Sequence, residues 1–229
     1  MIIRAARLVT IALACAAFLA GTASHPHAVE SSGVQGRVEI GVPIKTRRVS
    51  AAYATRSVVT PALAPASELR NVVIYLKDAP PRPVTPVRVA IHQHDENFFP
   101  RVVAVPVGST VDFPNDDPIY HNVFSLSRTR TFNLGRYPRG ESRRVRFDKP
   151  GIVKVFCDIH SHMSATVIVL NHPWFAIPDE NGRYDLAGVP PGEHQVTAWH
   201  ERLGETTTAV KVESGRAAVV DFTLPVPPE

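Results

Sequence analysis

The chain has 229 residues, 44% hydrophobic and 20% charged, an ordinary globular composition with room for one large domain or two small ones. Its formal net charge is +4. Removing residues 1–23 takes Lys plus Arg from 25 to 23 against 21 acids, leaving about +2, too little to point to any class of partner.

Taken in chain order, Arg4 and Arg7 precede an apolar run from Leu8 to Ala20, followed by small residues and a cleavage point after Ala23. This is a secretory signal pattern, and its 13 apolar residues fall short of the roughly 20 that cross a bilayer. A periplasmic or secreted protein without a membrane span is expected. Cys15 would suit a lipoprotein anchor, but Ala12 stands where such signals carry a large aliphatic residue. After cleavage Cys157 is the sole cysteine and Met163 the sole methionine, which excludes an intramolecular disulfide.

Short β-branched runs then recur, with 21 prolines and 13 glycines and no sustained helical period, which predicts an all-β protein. Strands are expected at 34–40, 71–76, 87–93, 102–107, 110–113, 122–125, 143–147, 152–156 and 165–170. Further strands follow at 174–177, 183–186, 193–200, 206–212 and 217–224. Prolines at 80–86 and 173–191 set the middle segment, about 86–170, apart from its flanks. Each flank alone offers too few strands to close a core, so both together are read as one further sandwich.

The chemistry concentrates in Cys157-Asp158-Ile159-His160-Ser161-His162-Met163, a loop between two strands. Thiolate, imidazole and thioether at Cys-x2-His-x2-Met suit copper, because the sulfur donors favour Cu(I) while imidazole also serves Cu(II). Zinc is the competing ion, but a thioether is a poor zinc ligand. A second imidazole must come from elsewhere, and His121, opening a strand after Asn115-Asp116-Asp117-Pro118, is placed to supply it.

On these residues the middle segment resembles the cupredoxins, the plastocyanin, amicyanin and pseudoazurin group, through its His-Asn-Val sequence and short Cys-x2-His-x2-Met loop. The resemblance implies a Greek-key sandwich binding one type 1 copper ion. It assigns His121, Cys157 and His160 as equatorial ligands, Met163 as the weak axial one, and Asn122 as the asparagine that braces the two ligand loops. It also implies one-electron transfer to a redox protein such as a c-type cytochrome or a dehydrogenase, without catalysis. The flanks, with Asp179-Glu180-Asn181-Gly182 and Val189-Pro190-Pro191-Gly192 turns before strands, resemble the carboxypeptidase regulatory-like domain. The expected division is a signal peptide at 1–23, regulatory-like halves at 33–80 and 171–226, and an inserted cupredoxin domain at 86–170. The combination resembles exported proteins commonly labelled methylamine utilisation proteins.

Alternatives stay open at this level. Copper delivery without electron transfer, or a metal-stabilised adhesive module, would use the same ligands. His162 competes with Met163 for the axial place. His92 and His94 alternate onto one strand face, which is either solvent-exposed or a second metal site. His25 and His27 offer weak Cu(II) ligands at the new N-terminus, whereas His194 and His200 read as structural or surface residues. Eight Lys and Arg between Arg128 and Lys149 face only Glu141 and Asp148, and Arg144 and Arg146 alternate with Val145 and Phe147. This basic face is either a soluble surface or a steering patch for an acidic redox partner. Nucleic acid is not expected, since no aromatic stacking platform accompanies the charges.

Overall fold

A computed structural model describes residues 32–41, 68–77 and 79–224. The signal segment, Cys15, His25 and His27 lie outside the described residues. The protein is all-β, with eighteen strands among the described residues, and no described helix is long and apolar enough to cross a membrane.

The middle of the chain builds two facing sheets. One has the order β10-β7-β3, from Ser142–Phe147, Ser109–Pro114 and Arg88–Ala90. The other runs β6-β12-β11-β8-β9, from Val102–Pro106, Ser164–Leu170, Gly151–Phe156, His121–Ser127 and Arg130–Tyr137. Alternation decides which side chains turn inward: in β7 Val111 and Phe113 are buried between half-buried neighbours, and in β10 Val145 and Phe147 are buried between Arg144 and Arg146. These meet Val123, Val153, Val155, Val167 and Val169 of the five-stranded sheet in one core that also contains Cys157 and Met163.

The strands on either side of this unit pair with one another. β1 (Gly33–Ile40) lies beside β14 (Arg183–Ala187), β17 (Ala217–Val219) and β18 (Phe222–Leu224). The facing sheet has the order β13-β2-β15-β16, from Phe175–Ala176, Val72–Lys77, Gly192–His200 and Gly204–Val212. Their core joins Val34, Val72, Ile74 and Leu76 from before the middle unit to Leu186, Val196 and Phe222 from after it. A third cluster, Val73, Val102, Ile168, Leu170 and Trp199, packs the two units together.

Several local readings need correction; the single strand expected at 217–224 is broken at Val220 and Asp221 into β17 and β18. The strand expected at 87–93 is broken at Ile91, whose N–H donates to Asp112 O, so that β4 (His92–His94) leaves the sheet and forms a hairpin with β5 (Asn97–Phe99). Strand β5 is not among the expected strands, and neither is the longer β9. It pairs with β8 through a register shift between Asn122 and Phe124, and Gly135 supplies the positive φ, 70°, that this bulge requires.

Candidate metal centre

His121 is the first residue of β8 and Cys157 the first after β11, two strands paired at Phe124 and Phe156. Strand pairing therefore brings together residues 36 positions apart. His160 follows in the loop, where its carbonyl accepts the N–H of Met163 at 3.0 Å. His121 Nδ1 lies 3.1 Å from His160 Nδ1 and 3.9 Å from Cys157 Sγ. Donor atoms of all three residues fall within 4.8 Å of one another. Such separations suit a single first-row ion bound at about 2.0–2.3 Å, and the donor set of one thiolate and two imidazoles suits copper.

The donors differ in exposure. His121 is fully buried and Cys157 nearly so, while His160 is half-buried and reaches the surface between exposed Ile159 and exposed His162. Met163 is 1% exposed and belongs to the same core cluster as Cys157. His162 points its ring to solvent, 6.0 Å between centroids from that of His160.

Protonation follows from these neighbours. Burial pushes the Cys157 thiol up, but the contact with His121 and backbone N–H groups of Asn122, His160 and Ile159 outweigh it and leave the thiol below its ordinary value. His121 is lowered by burial, yet Cys157 and Asp117 raise it further, so it ends above its usual range. Burial, joined by the charge of His121, holds His160 below its own, with Glu96 opposing. The directions at Cys157 and His160 favour the thiolate and neutral imidazole that bind metal, whereas the upward direction at His121 favours its protonated form, whose extra proton a bound metal would displace.

The ligand loops are braced differently from the resemblance. Asn122 offers its backbone N–H to the Cys157 sulfur, but its side-chain amide donates to Asn133 Oδ1 at 2.8 Å, the atom that also accepts the Gly135 N–H. Its side chain therefore secures the β8–β9 bulge and does not tie the two ligand loops together. The His121 side of the centre is held by residues that the sequence presents only as a turn. Asn115, fully buried, donates to the carbonyls of Ile119 and Tyr137 and accepts the Asp117 N–H. Asp117 in turn accepts from His121 Nε2 at 2.7 Å. The only sequence signal for either was an Asn and an Asp four to six residues before a candidate ligand.

Elsewhere, His92 Nδ1 lies 2.7 Å from Asp116 and His94 Nε2 3.4 Å from Asp95, both histidines exposed. The donor atoms of His94, Asp95 and Asp117 fall within 4.8 Å of one another. His200 is buried against Glu68, and His194 meets the Pro190 carbonyl. Arg144 and Arg146 face solvent, but four charges of the basic segment are paired: Arg136 with Asp158, Arg143 with Glu141, Arg144 with Asp112 and Arg146 with Asp148.

The chain matches the carboxypeptidase regulatory-like domain family over residues 163–225. That match begins at Met163 and takes in β12, which hydrogen-bonds within the five-stranded sheet of the middle unit. Among solved structures, the chain is similar to a copper-containing nitrite reductase from Thermus scotoductus SA-01, at 25% identity and TM-score 0.36, covering 42% of this chain and 25% of that one. It is also similar to a Cu(I) form of an amicyanin variant, at 18% identity and TM-score 0.34, covering 36% and 81%. A purple cupredoxin from Nitrosopumilus maritimus aligns at 28% identity and TM-score 0.30, covering 32% and 81%. The chain thus spans a quarter of the nitrite reductase. No curated protein sequence matches it.

Proposed function

We propose that this chain is an exported, periplasmic or secreted, type 1 copper protein that carries single electrons and catalyses no reaction of its own. The observation that carries this reading is the convergence of His121 Nδ1, His160 Nδ1 and Cys157 Sγ at one buried point. Copper bound there would supply a Cu(II)/Cu(I) couple. His121 and Cys157, held by paired strands, would keep one geometry in both states, and a site of this kind reorganises little. Met163, buried beside Cys157, is the axial donor in this reading. Half-buried His160, with exposed Ile159 beside it, offers the short route to a docked partner such as a c-type cytochrome or a dehydrogenase.

A steering role for Arg144 and Arg146 toward an acidic partner belongs to the same proposal. Association rates that do not change with salt would remove it. Placement in methylamine utilisation rests on the sequence resemblance alone. The decisive experiment adds Cu(II) to the mature protein and to its Cys157→Ser variant. An intense thiolate-to-copper absorption band in the first and none in the second is expected, with a reversible couple on voltammetry. Absence of the band in the unaltered protein overturns the proposal.

A further inference from the structure

A single buried carboxylate holds two separate structures. Asp117 is 4% exposed, and its Oδ2 accepts the Nε2–H of His121 at 2.7 Å. The same group accepts the backbone N–H of Asp95 on Oδ1 at 2.7 Å and that of Glu96 on Oδ2 at 2.9 Å. Those two amides form the turn of the β4–β5 hairpin, where Asp95 and Glu96 have φ of 50° and 55°. Tight turns with two positive φ values favour Asn-Gly, and a residue with a Cβ in that region costs about 1–2 kcal/mol. Asp adopts the conformation more readily than Glu, so an acceptor that collects both amides helps to offset the cost of the turn.

The position of that acceptor is itself fixed. Asn115 Oδ1 accepts the Asp117 N–H at 3.0 Å, and the Asp116 N–H donates to the Gln93 carbonyl of β4 at 3.0 Å. The loop before His121 and the hairpin are therefore laced together at Asp116 and at Asp117 itself. With Nε2–H donated to a carboxylate, His121 can offer metal only its Nδ1, which is the nitrogen facing His160 and Cys157. A carboxylate on the outer nitrogen also makes the imidazole more basic, and its negative charge favours the more highly charged metal state.

We infer that Asp117 is a positioning residue for the metal centre, fixing the His121 tautomer, favouring Cu(II) over Cu(I), and locking the β4–β5 hairpin against the site. This rests on the copper reading above. Its test compares Asp117→Asn and Asp117→Ala with the unaltered protein, each also in an Asp95→Asn/Glu96→Gly background whose turn closes by its own backbone preference. In both backgrounds removing the charge should raise the reduction potential and weaken Cu(II) binding by about 10- to 100-fold. Each tenfold preferential loss of Cu(II) corresponds to about 59 mV. The accompanying loss of thermal stability should shrink in the Asn-Gly background, which separates the turn role from the metal role. A potential unchanged in both backgrounds overturns the inference. Should the unaltered protein show no thiolate-to-copper band, the copper reading fails on its own, and nitrogen NMR of the metal-free protein still decides the positioning claim. At a pH where the His121 imidazole is neutral, one Nε2–H tautomer is expected, giving way to a mixture in Asp117→Ala, and identical tautomer populations count against it.

Discussion

Two neighbours in the Cys157–Met163 loop have opposite surroundings. His162 is exposed, whereas Met163 is buried in the cluster that holds Cys157. In the proposed copper centre this makes the Met163 thioether, buried in the cluster that holds Cys157, a better candidate for the fourth donor than the exposed His162 imidazole. His162→Ala should leave the visible spectrum and potential of the copper-loaded protein nearly unchanged, whereas Met163→Gln should shift both; spectra and voltammograms of the two variants check this. A second buried group sets a pH limit on the fold. Glu68 accepts from His200 at 3.3 Å and from Asn71 at 3.0 Å. The bond from His200, opposed by burial and helped by Asn71, holds its carboxyl at about 2, below the ordinary 4.5. Because the folded value is the lower one, this stabilisation is full above about pH 5 and is lost as pH falls toward 2. Glu68→Gln should cost about 1–3 kcal/mol at neutral pH, with the deficit closing on acidification, as urea midpoints measured from pH 7 to pH 2 would reveal.

At the scale of elements, the join between β1 and its parallel neighbours depends on Gly36. β1 pairs with β17 up to Gln35 and with β18 from Val38, and at the changeover the Val220 N–H donates to the Gln35 carbonyl. A Cβ on Gly36 would lie 1.8 Å from the Val220 carbonyl oxygen. Gly36→Ala should therefore destabilise by about 1–3 kcal/mol, lowering the urea midpoint with little change in slope. Alternation made most strands legible, because a period of two with Val, Ile and Phe on one side marks a half-buried sheet. Two of its failures have clear physical reasons. In β9, Arg130–Tyr137, mostly exposed or half-buried side chains and a glycine bulge hide the period. At Ile91 the strand pattern continues while the backbone changes partner. The ligand set was readable from side-chain chemistry and loop spacing. Asn115 and Asp117 were not, since their roles come from hydrogen bonds to distant backbone that spacing does not encode. The Asn122 side chain, expected to brace the two ligand loops, instead meets Asn133, which lies on the unread strand.

The relation between the two units decides how the whole molecule unfolds. Trp199 of β15 is 8% exposed and packs with Val73, Val102, Ile168 and Leu170, so one indole touches strands of both sandwiches. Around it runs a polar seam: Lys154 of β11 meets Glu201 at 2.8 Å and Thr166 at 3.1 Å, with its ammonium 5.4 Å from the Trp199 ring centroid, and Arg101 approaches Glu201 at 3.5 Å. Lys154 lies three residues before Cys157 and Thr166 three residues after Met163, so a disturbance of the seam can reach the metal centre through both β11 and β12. With apolar contacts carrying the interface and a few ion pairs at its margin, the two units should melt together in the unaltered protein. Trp199→Ala removes a buried aromatic at a cost of about 3–5 kcal/mol, and that loss falls mainly on the interface. The variant should therefore unfold in two calorimetric steps, with the absorption band of the copper-loaded protein following only one of them. A single transition at lower temperature, shared by the heat signal and the absorption band, would mean that strands β2 and β15 collapse with the middle unit and that the two sandwiches form one cooperative body.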